Sequence, residues 1–461
     1  MPGDMSSISP LAIEPAAQGS PAAASQIATG FAWTARKLRV WGMKSALSLI
    51  DQGLTSMAGF GVNLLLARWI APEAYGGFAV AFAGFLFLFG FYNALLLEPM
   101  TVLGPSRHSA RLGGFFRAQI KVHLVLVGPL SALGLLASLI LWRFARGSPL
   151  IGAVLGGGLA LPFLLVAWLT RRMCWVMQRP TVAVLGSAFY LGFIGLGLFA
   201  LADLAWLSSF TAFLLMGCGS ALASWLLLWR LGVLNHRPAS EPDVLWRVTL
   251  QENWSYGRWL VGSAVLGSIS SQAQVFLAAG LLGLGAAGIL RAMQIPSLVM
   301  TQVTYAAGLV ALTSFSYDFG NGQMEWLRRK AVLVSVGLLG GLLTFAFVLA
   351  IFAGQTERLL FGGRYAPYAH LMPILALIPA AMGFSTGYSM AMRASQKPRF
   401  DLVANAIAAP VGVVSAIFFI RWWGIAGAAA SMAVGFAAYA VSVCWIYYSP
   451  RETGQKRGFS T

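Results

Sequence analysis

Residues 75–97 read YGGFAVAFAGFLFLFGFYNALLL, a run of 23 residues without a charged side chain. A helix needs about 20 consecutive apolar residues to cross the hydrocarbon core of a bilayer. This run therefore predicts a membrane-spanning helix. A transmembrane β-barrel would need strands of about ten residues that alternate apolar and polar positions, whereas this run and the others in the chain are continuous.

The whole chain has the composition of an integral membrane protein. Its 461 residues are 58% hydrophobic and only 10% charged, and the mean hydropathy is +0.75. No soluble globular domain of this length has such values. We predict an all-α membrane protein with about twelve transmembrane helices, near residues 43–67, 75–97, 119–142, 149–170, 181–202, 207–229, 259–282, 286–314, 331–353, 368–391, 401–420 and 424–447.

The basic residues predict how the chain is oriented. With twelve spans, 24 of the 31 Lys and Arg residues fall on one side of the membrane. Arg291 lies within a span, and six lie on the other side: Arg68, Arg143, Arg146, Arg358, Arg364 and Arg421. Cytoplasmic loops carry the excess of Lys and Arg. We therefore expect both termini in the cytoplasm and the protein in the bacterial plasma (inner) membrane.

Polar segments divide the chain into five predicted parts. Residues 1–35 are expected to be a disordered cytoplasmic tail, because their first 30 residues are rich in Ala, Pro and Ser. A six-helix lobe (36–229), a cytoplasmic linker (230–258), a second six-helix lobe (259–448) and a cytoplasmic tail (449–461) follow. Within the linker, LWRVTLQENW fits either a short interfacial helix or a solvated segment.

The two predicted lobes contain an internal repeat. LLLARWIAPEAYGGFAV (64–80) aligns with VFLAAGLLGLGAAGILR (275–291) at an offset of 211, which superposes Gly77 on Gly288. The tripeptide QRP at Gln178 matches QKP at Gln396 at an offset of 218. An even number of helices per repeat brings both halves into the membrane from the same side. They should therefore be related by an axis along the membrane normal, a parallel repeat that holds its substrate between the lobes.

A polar stripe marks the eighth predicted helix, in the stretch GILRAMQIPSLVMTQVTY (288–305). At about 100° per residue its polar members lie within roughly 80° of one another. They are Arg291, Gln294, Gln302 and Tyr305. Pro296 interrupts this helix, and broken membrane helices are tolerated mainly where protein or water receives the freed carbonyl groups. We predict that the stripe lines a hydrated, substrate-binding cavity.

Two further helices carry polar faces. The first has Lys44, Ser48, Asp51 and Thr55 within about 60° of one another, and the seventh has Ser263, Ser270 and Gln274 on one side. A charge at the membrane centre costs at least about 2.5 to 3.5 kcal/mol unless it is paired or hydrated. Asp51 therefore either forms a salt bridge with Arg291 that holds the lobes together, or binds an ion or acts in gating. For the seventh helix we expect helix packing.

No motif of an enzyme or of a cofactor site is present. The three cysteines and four histidines have no metal-ligand spacing, no serine lies in a nucleophile elbow, and no Walker-type loop occurs. We therefore predict no catalytic residue, no metal and no cofactor. The net charge of +17 is spread over seven cytoplasmic segments, so we expect no nucleic-acid partner.

Four stretches resemble the polysaccharide flippases of the multidrug/oligosaccharidyl-lipid/polysaccharide exporter superfamily. The first, LLLARWIAPEAYGGFAVAFAGF (64–85), resembles the first-loop signature of that family. The other three look like its C-terminal signature: LLFGGRYAPYAHLMPILAL (359–377), RASQKPRFDLVANAIAAP (393–410) and WWGIAGAAASMAVGF (422–436). The similarity covers about residues 40–448 in order.

This resemblance implies a fold and a function. It implies two six-helix lobes around a cavity that opens alternately to each side and carries a polyprenyl-diphosphate-linked oligosaccharide outward, for exopolysaccharide or O-antigen synthesis. It also implies a cationic cavity residue for the diphosphate, a role assigned only to Arg291, and possible partners among polysaccharide polymerases and export machinery. Open alternatives are a multidrug or cation antiporter of the same superfamily and a lipid II flippase. A membrane polymerase is disfavoured, because no outward link greatly exceeds about 15 residues.

Overall fold

The computed structural model describes residues 21–233, 244–395 and 399–449, and every regular element in these ranges is helical. Parts of the predicted tails and linker lie outside the described residues, as does the QKP tripeptide. The twelve α-helices are α1 Pro21–Trp69, α2 Pro72–Tyr92, α3 Glu98–Arg107, α4 Leu112–Phe144, α5 Pro149–Val176, α6 Pro180–Asp203, α7 Ser209–Leu231, α8 Trp246–Leu282, α9 Leu284–Gly320, α10 Met324–Phe361, α11 Leu371–Ala394 and α12 Arg399–Tyr448.

Local signals explain where several of these helices begin and end. Pro72, Pro149 and Pro180 open α2, α5 and α6, where a proline loses no hydrogen bond because the first N–H groups of a helix have no partner within it. Ser208 caps α7 through a reciprocal pair of hydrogen bonds with Thr211. Glycines in the left-handed conformation terminate α7 and α10.

Two helices depart from simple spans. A π-helical turn, Asn93–Leu97, joins α2 to α3, so that Pro72–Arg107 forms one crossing. The 50 residues of α12 would extend about 75 Å as one straight helix, more than twice the thickness of the hydrocarbon core. Gly424, with φ 58° and ψ −131°, breaks α12 into two crossings, 399–423 and 425–448.

The predicted all-α membrane fold is confirmed. Ten helices in the described ranges are long and apolar enough to cross a bilayer, and the break in α12 divides one of these ten into two. Two differences concern boundaries. The chain is helical from Pro21, within the predicted tail, and α8 begins at Trp246, within the predicted linker.

Contacts divide the chain into two compact units, Met1–Leu49 and Ile50–Thr461. The described part of the first unit is helical. In the second unit the main helix pairs are α10 with α11, α5 with α7, α8 with α12 and α2 with α9. The core around α2 contains the fully buried side chains of Tyr75, Phe78 and Phe213.

The first part of α8 is a helix rather than a solvated segment. Thr249, Asn253 and Gly257 are buried at four-residue spacing, and Asn253 exchanges two hydrogen bonds with Gln119 of α4, at 2.9 and 3.2 Å. Trp254 is exposed. This segment thus has one face packed against the protein and another that is free.

The helix ends define two faces of the molecule. We call the face with the chain segments 108–111, 177–179 and 321–323 the basic face, because the sequence places most Lys and Arg residues there. The face with segments 70–71 and 362–370 is called the opposite face. The sequence predicts that the basic face is cytoplasmic and the opposite face outward.

Candidate functional site

Helices α2 and α9 touch backbone to backbone at the opposite face. A Cβ atom on Gly76 would lie 1.8 Å from the carbonyl oxygen of Leu284, and one on Gly288 would lie 2.4 Å from that of Pro72. Only glycine fits at either position. The two contacts are reciprocal, so Gly76, rather than the predicted Gly77, is the repeat equivalent of Gly288. The starts of the two helices agree, because Leu284 begins α9 212 positions after Pro72 begins α2. This crossing closes the space between α2 and α9 at the opposite face.

The loop 362–370 adds a second closure at the same face. The Tyr365 hydroxyl donates to the carbonyl of Ala67 at 3.0 Å, and the Arg364 guanidinium donates to that of Ile70. Ala67 lies in the last turn of α1, where the C=O groups lack partners within the helix, and Ile70 directly follows that helix. Glu357, fully buried, accepts from the Tyr365 N–H at 2.7 Å. Burial raises the pKa of Tyr365 to about 12, so its hydroxyl remains a donor at neutral pH.

Replacing Tyr365 with phenylalanine should weaken this closure. A lost neutral hydrogen bond costs about 0.5 to 1.5 kcal/mol, so the closed population should fall by roughly 2- to 10-fold. The measurement is the rate at which a membrane-impermeant thiol reagent, added from the predicted outward side, labels Gln294→Cys in a background without Cys174, Cys218 and Cys444. Tyr368→Phe in the same loop is the matched control. Equal labelling rates for both variants would contradict the role of Tyr365.

Arg291 and Gln294 form a buried pair beneath the α2–α9 crossing. The Arg291 Nη1 donates to Gln294 Oε1 at 3.0 Å, and the two residues are only 8% and 7% exposed. The guanidinium carbon lies 5.7 Å from the ring centre of Phe82 on α2, and Tyr75 is an electrostatic neighbour. The Arg291 Nε has no hydrogen-bond acceptor. No carboxylate pairs with Arg291 among the residues that the structure describes.

Gln302 and Tyr305 lie farther along α9 and have other neighbours. Gln302 accepts a hydrogen bond from Gln52 of α1 at 3.3 Å. Tyr305 is 55% exposed, and Arg393 lies within electrostatic range of it. The four residues share a helix face as predicted, but the structure unites them only as the pair Arg291–Gln294. Exposure rises along the stripe, away from the closed opposite face.

Helix α9 is continuous through Pro296, although the sequence predicts an interruption at this residue. The structure has no non-helical residue in α9 around the proline. A proline in a helix removes one hydrogen bond, and the surrounding residues Ala292 and Ile295 are fully buried in protein. The helix around Pro296 is therefore packed against protein, and the proline alone does not identify a cavity.

Asp51 lies in a polar cluster between α1, α5 and α6. Its carboxylate accepts from Ser187 at 2.5 Å, from Arg171 Nε at 2.8 Å and from Trp175 Nε1 at 3.2 Å. Only 1% of Asp51 is exposed. The alternative of a salt bridge with Arg291 is wrong, because the partner of Asp51 is Arg171. The sequence pattern predicts a loop at Arg171, whereas α5 continues to Val176.

Hydrogen bonds extend this cluster to α9. Arg171 Nη2 donates to Gln52 Oε1 at 3.3 Å, and Gln52 Nε2 in turn donates to Gln302. Asp51, Arg171, Gln52 and Gln302 therefore form one connected chain between α1, α5 and α9. A change in the charge of Asp51 can reach the polar stripe by this route.

The C-terminal helices hold a related carboxylate cluster. Asp401 on α12 accepts from Ser263 at 2.8 Å and from Tyr439 at 2.7 Å. Ser263 lies 212 positions after Asp51, so acid and hydroxyl have exchanged helices between the two repeats. Gln274, expected to pack, is fully buried against Gly412. No group of three His, Cys, Asp or Glu residues that could hold a metal occurs in the described ranges.

Sequence reasoning missed Arg171, Trp175 and Ser187 as partners of Asp51, as well as the Asp401 cluster. Basic residues at the end of an apolar run resemble the start of a loop. One usable signal was present, because Arg171 and Trp175 are four residues apart and so share a helix face.

Comparison with known proteins identifies the fold. No family model and no curated protein matches the sequence. An inward-facing multidrug resistance MATE family transporter of the MOP superfamily superimposes with a TM-score of 0.69 at 15% identity, over 85% of this chain and 93% of that chain.

Two further solved structures have the same architecture. Lipid II flippase MurJ, in an inward closed conformation, matches with a TM-score of 0.67 at 13% identity, over 88% of this chain and 87% of its own. The eukaryotic MATE transporter AtDTX14 matches with a TM-score of 0.63 at 16% identity, over 89% and 95%. The chain is therefore a multi-pass membrane protein with the fold of MATE transporters and of MurJ.

Proposed function

We propose that this protein is a flippase that moves polyprenyl-diphosphate-linked oligosaccharide units across the bacterial plasma membrane, for exopolysaccharide or O-antigen synthesis. The single observation that carries the proposal is the buried Arg291 guanidinium, which has no carboxylate partner among the described residues and leaves its Nε without an acceptor. A buried charge of this kind is costly in a membrane protein, so its presence here supports a functional role.

The substrate and this site are chemically complementary. A diphosphate cannot cross hydrocarbon unaided, and a planar guanidinium can donate two hydrogen bonds to phosphate oxygens. Gln294 already lies against Arg291, and Gln302 and Tyr305 offer amide and phenol groups to sugar hydroxyls. The polyprenyl tail would remain in the bilayer while the headgroup follows the stripe along α9.

The closed opposite face fits one stage of an alternating-access cycle. The glycine crossing of α2 and α9 seals the end near Arg291, and exposure increases towards Gln302 and Tyr305. We infer that the headgroup approaches from the basic face and leaves after the crossing opens. Outward movement of negative charge in an inside-negative cell is favourable by about 2.3 kcal/mol per charge per 100 mV. Asp51 would bind the ion that resets the carrier or would gate it.

Transport in proteoliposomes tests this proposal. Arg291→Ala should lower the outward translocation of a fluorescent polyprenyl-diphosphate oligosaccharide by about 10- to 100-fold, since a hydrogen bond to a charged group contributes about 1.5 to 3 kcal/mol. Arg291→Lys should retain part of the activity because it keeps the charge but loses the planar fork.

The matched control is Arg358→Ala, which removes an exposed arginine at the end of α10. It should transport at the wild-type rate. No transport by folded wild-type protein across several donor sugars would refute the flippase assignment. Transport that is unchanged in Arg291→Ala would instead remove Arg291 from the path.

Cation-coupled multidrug export is the second candidate. In the sequence, Asp51 is the clearest carboxylate within a span, which disfavours this candidate, but the structure adds the buried Glu357 and the hydrogen-bonded Asp401. Uptake of organic cations into the same proteoliposomes, driven by a proton or sodium gradient, would favour this candidate. A lipid II flippase shares the diphosphate chemistry, so competition between lipid II and other lipid-linked sugars in the translocation assay separates those two.

A further inference from the structure

Arg171 occupies a position between the Asp51 cluster and the polar stripe. Its Nε donates to Asp51 and its Nη2 donates to Gln52, which is exposed and contacts Gln302. The guanidinium carbon lies 5.2 Å from the ring centre of Trp168, and 14% of the side chain is exposed. Arg171 is thus a cation at the edge of the accessible region, held by a carboxylate buried behind it.

Arg171 can separate from Asp51 without leaving the Asp51 carboxylate unsatisfied. Ser187 of α6 and Trp175 of α5 each donate to the same carboxylate, and Thr55 donates to the backbone carbonyl of Asp51. Cys174 of α5 also lies within electrostatic range of Asp51. When Asp51 binds a proton or another cation, Arg171 loses its counter-charge while the neutral donors remain.

We propose that Arg171 is a second cationic contact for the diphosphate of the substrate, and that Asp51 controls its availability. This inference rests on the proposed function. An anionic headgroup near Gln52 and an ionised Asp51 compete for one guanidinium, so neutralisation of Asp51 and binding of the headgroup favour each other. Such a coupling is reciprocal by thermodynamic necessity.

The spacing along α9 separates this contact from the one at Arg291. Gln302, at the end of the hydrogen-bond chain from Arg171, lies eleven residues beyond Arg291, about 16 Å along the helix axis. A diphosphate is much shorter than this distance. Arg171 and Arg291 therefore bind the headgroup in succession, Arg171 from the side of the basic face and Arg291 beneath the closed opposite face.

The experiment measures binding of a sugar-free polyprenyl diphosphate to the purified full-length protein in lipid nanodiscs. Asp51→Asn should tighten binding by about 5- to 50-fold, within the usual range of coupling between two sites. Arg171→Gln should weaken it, and the double variant should bind like Arg171→Gln alone.

A matched control and two contrary outcomes complete the test. Asp318→Asn neutralises another buried carboxylate, which pairs with Lys330 at 2.8 Å, and should leave the affinity unchanged. If the wild type binds the probe and Arg291→Ala weakens that binding, but Asp51→Asn does not tighten it, the proposed function stands and this inference fails. If neither wild type nor any well-folded variant binds the probe, the proposed function fails as well.

Discussion

Valine at Gly76 is expected to abolish transport, because the opposite face could no longer close. Its Cβ would lie 1.8 Å from the carbonyl oxygen of Leu284 and 2.5 Å from the carbonyl carbon. Both are backbone atoms, so no rotation of a side chain can relieve the overlap. Helices α2 and α9 would have to move apart by more than about 1 Å, and a close-packed interface does not tolerate such a shift.

Two measurements distinguish a failure to close from a failure to fold. Thiol labelling of Gln294→Cys from the predicted outward side should become rapid in Gly76→Val, while the protein still elutes as a single species. Gly84→Val is the matched control, because it lies on the same helix and a Cβ there would meet no atom within 4 Å. If Gly76→Val translocates substrate at the wild-type rate, the crossing is not a gate.

Valine at Gly427 is expected to prevent the C-terminal helical hairpin from forming. A Cβ there would lie 1.9 Å from the carbonyl oxygen of Phe419 and 2.3 Å from its carbonyl carbon, across the break in α12. The break is at Gly424, in a backbone conformation that other residues adopt only at a cost of about 1 to 3 kcal/mol. Two glycines of the stretch WWGIAGAAASMAVGF therefore shape one hairpin.

The expected result for Gly427→Val is little or no monodisperse protein after detergent extraction, and a lower midpoint of thermal unfolding for any that is recovered. Gly340→Val on α10 is the control, because a Cβ at Gly340 would meet no atom within 4 Å. A wild-type yield and unfolding midpoint for Gly427→Val would show that the hairpin accommodates the extra atoms.

The sequence alone is sufficient for the helices, because they follow from local properties. The need for about 20 apolar residues per crossing identifies spans one at a time. The cost of a charge within a span distinguishes Asp51 and Arg291 from their apolar neighbours in the sequence, and both residues are buried in the fold. This cost acts on single residues, so it can be judged without knowledge of neighbouring helices.

Only the tertiary structure decides which residues meet. Asp51 pairs with Arg171, 120 positions away, and Gln52 with Gln302, 250 positions away. A helical projection gives the direction of a side chain around its own axis, but neither the helix it faces nor its depth in the protein. Arg291 and Tyr305 therefore share a predicted face, yet one is 8% and the other 55% exposed, because the glycine crossing of α2 and α9 closes only one end of that face.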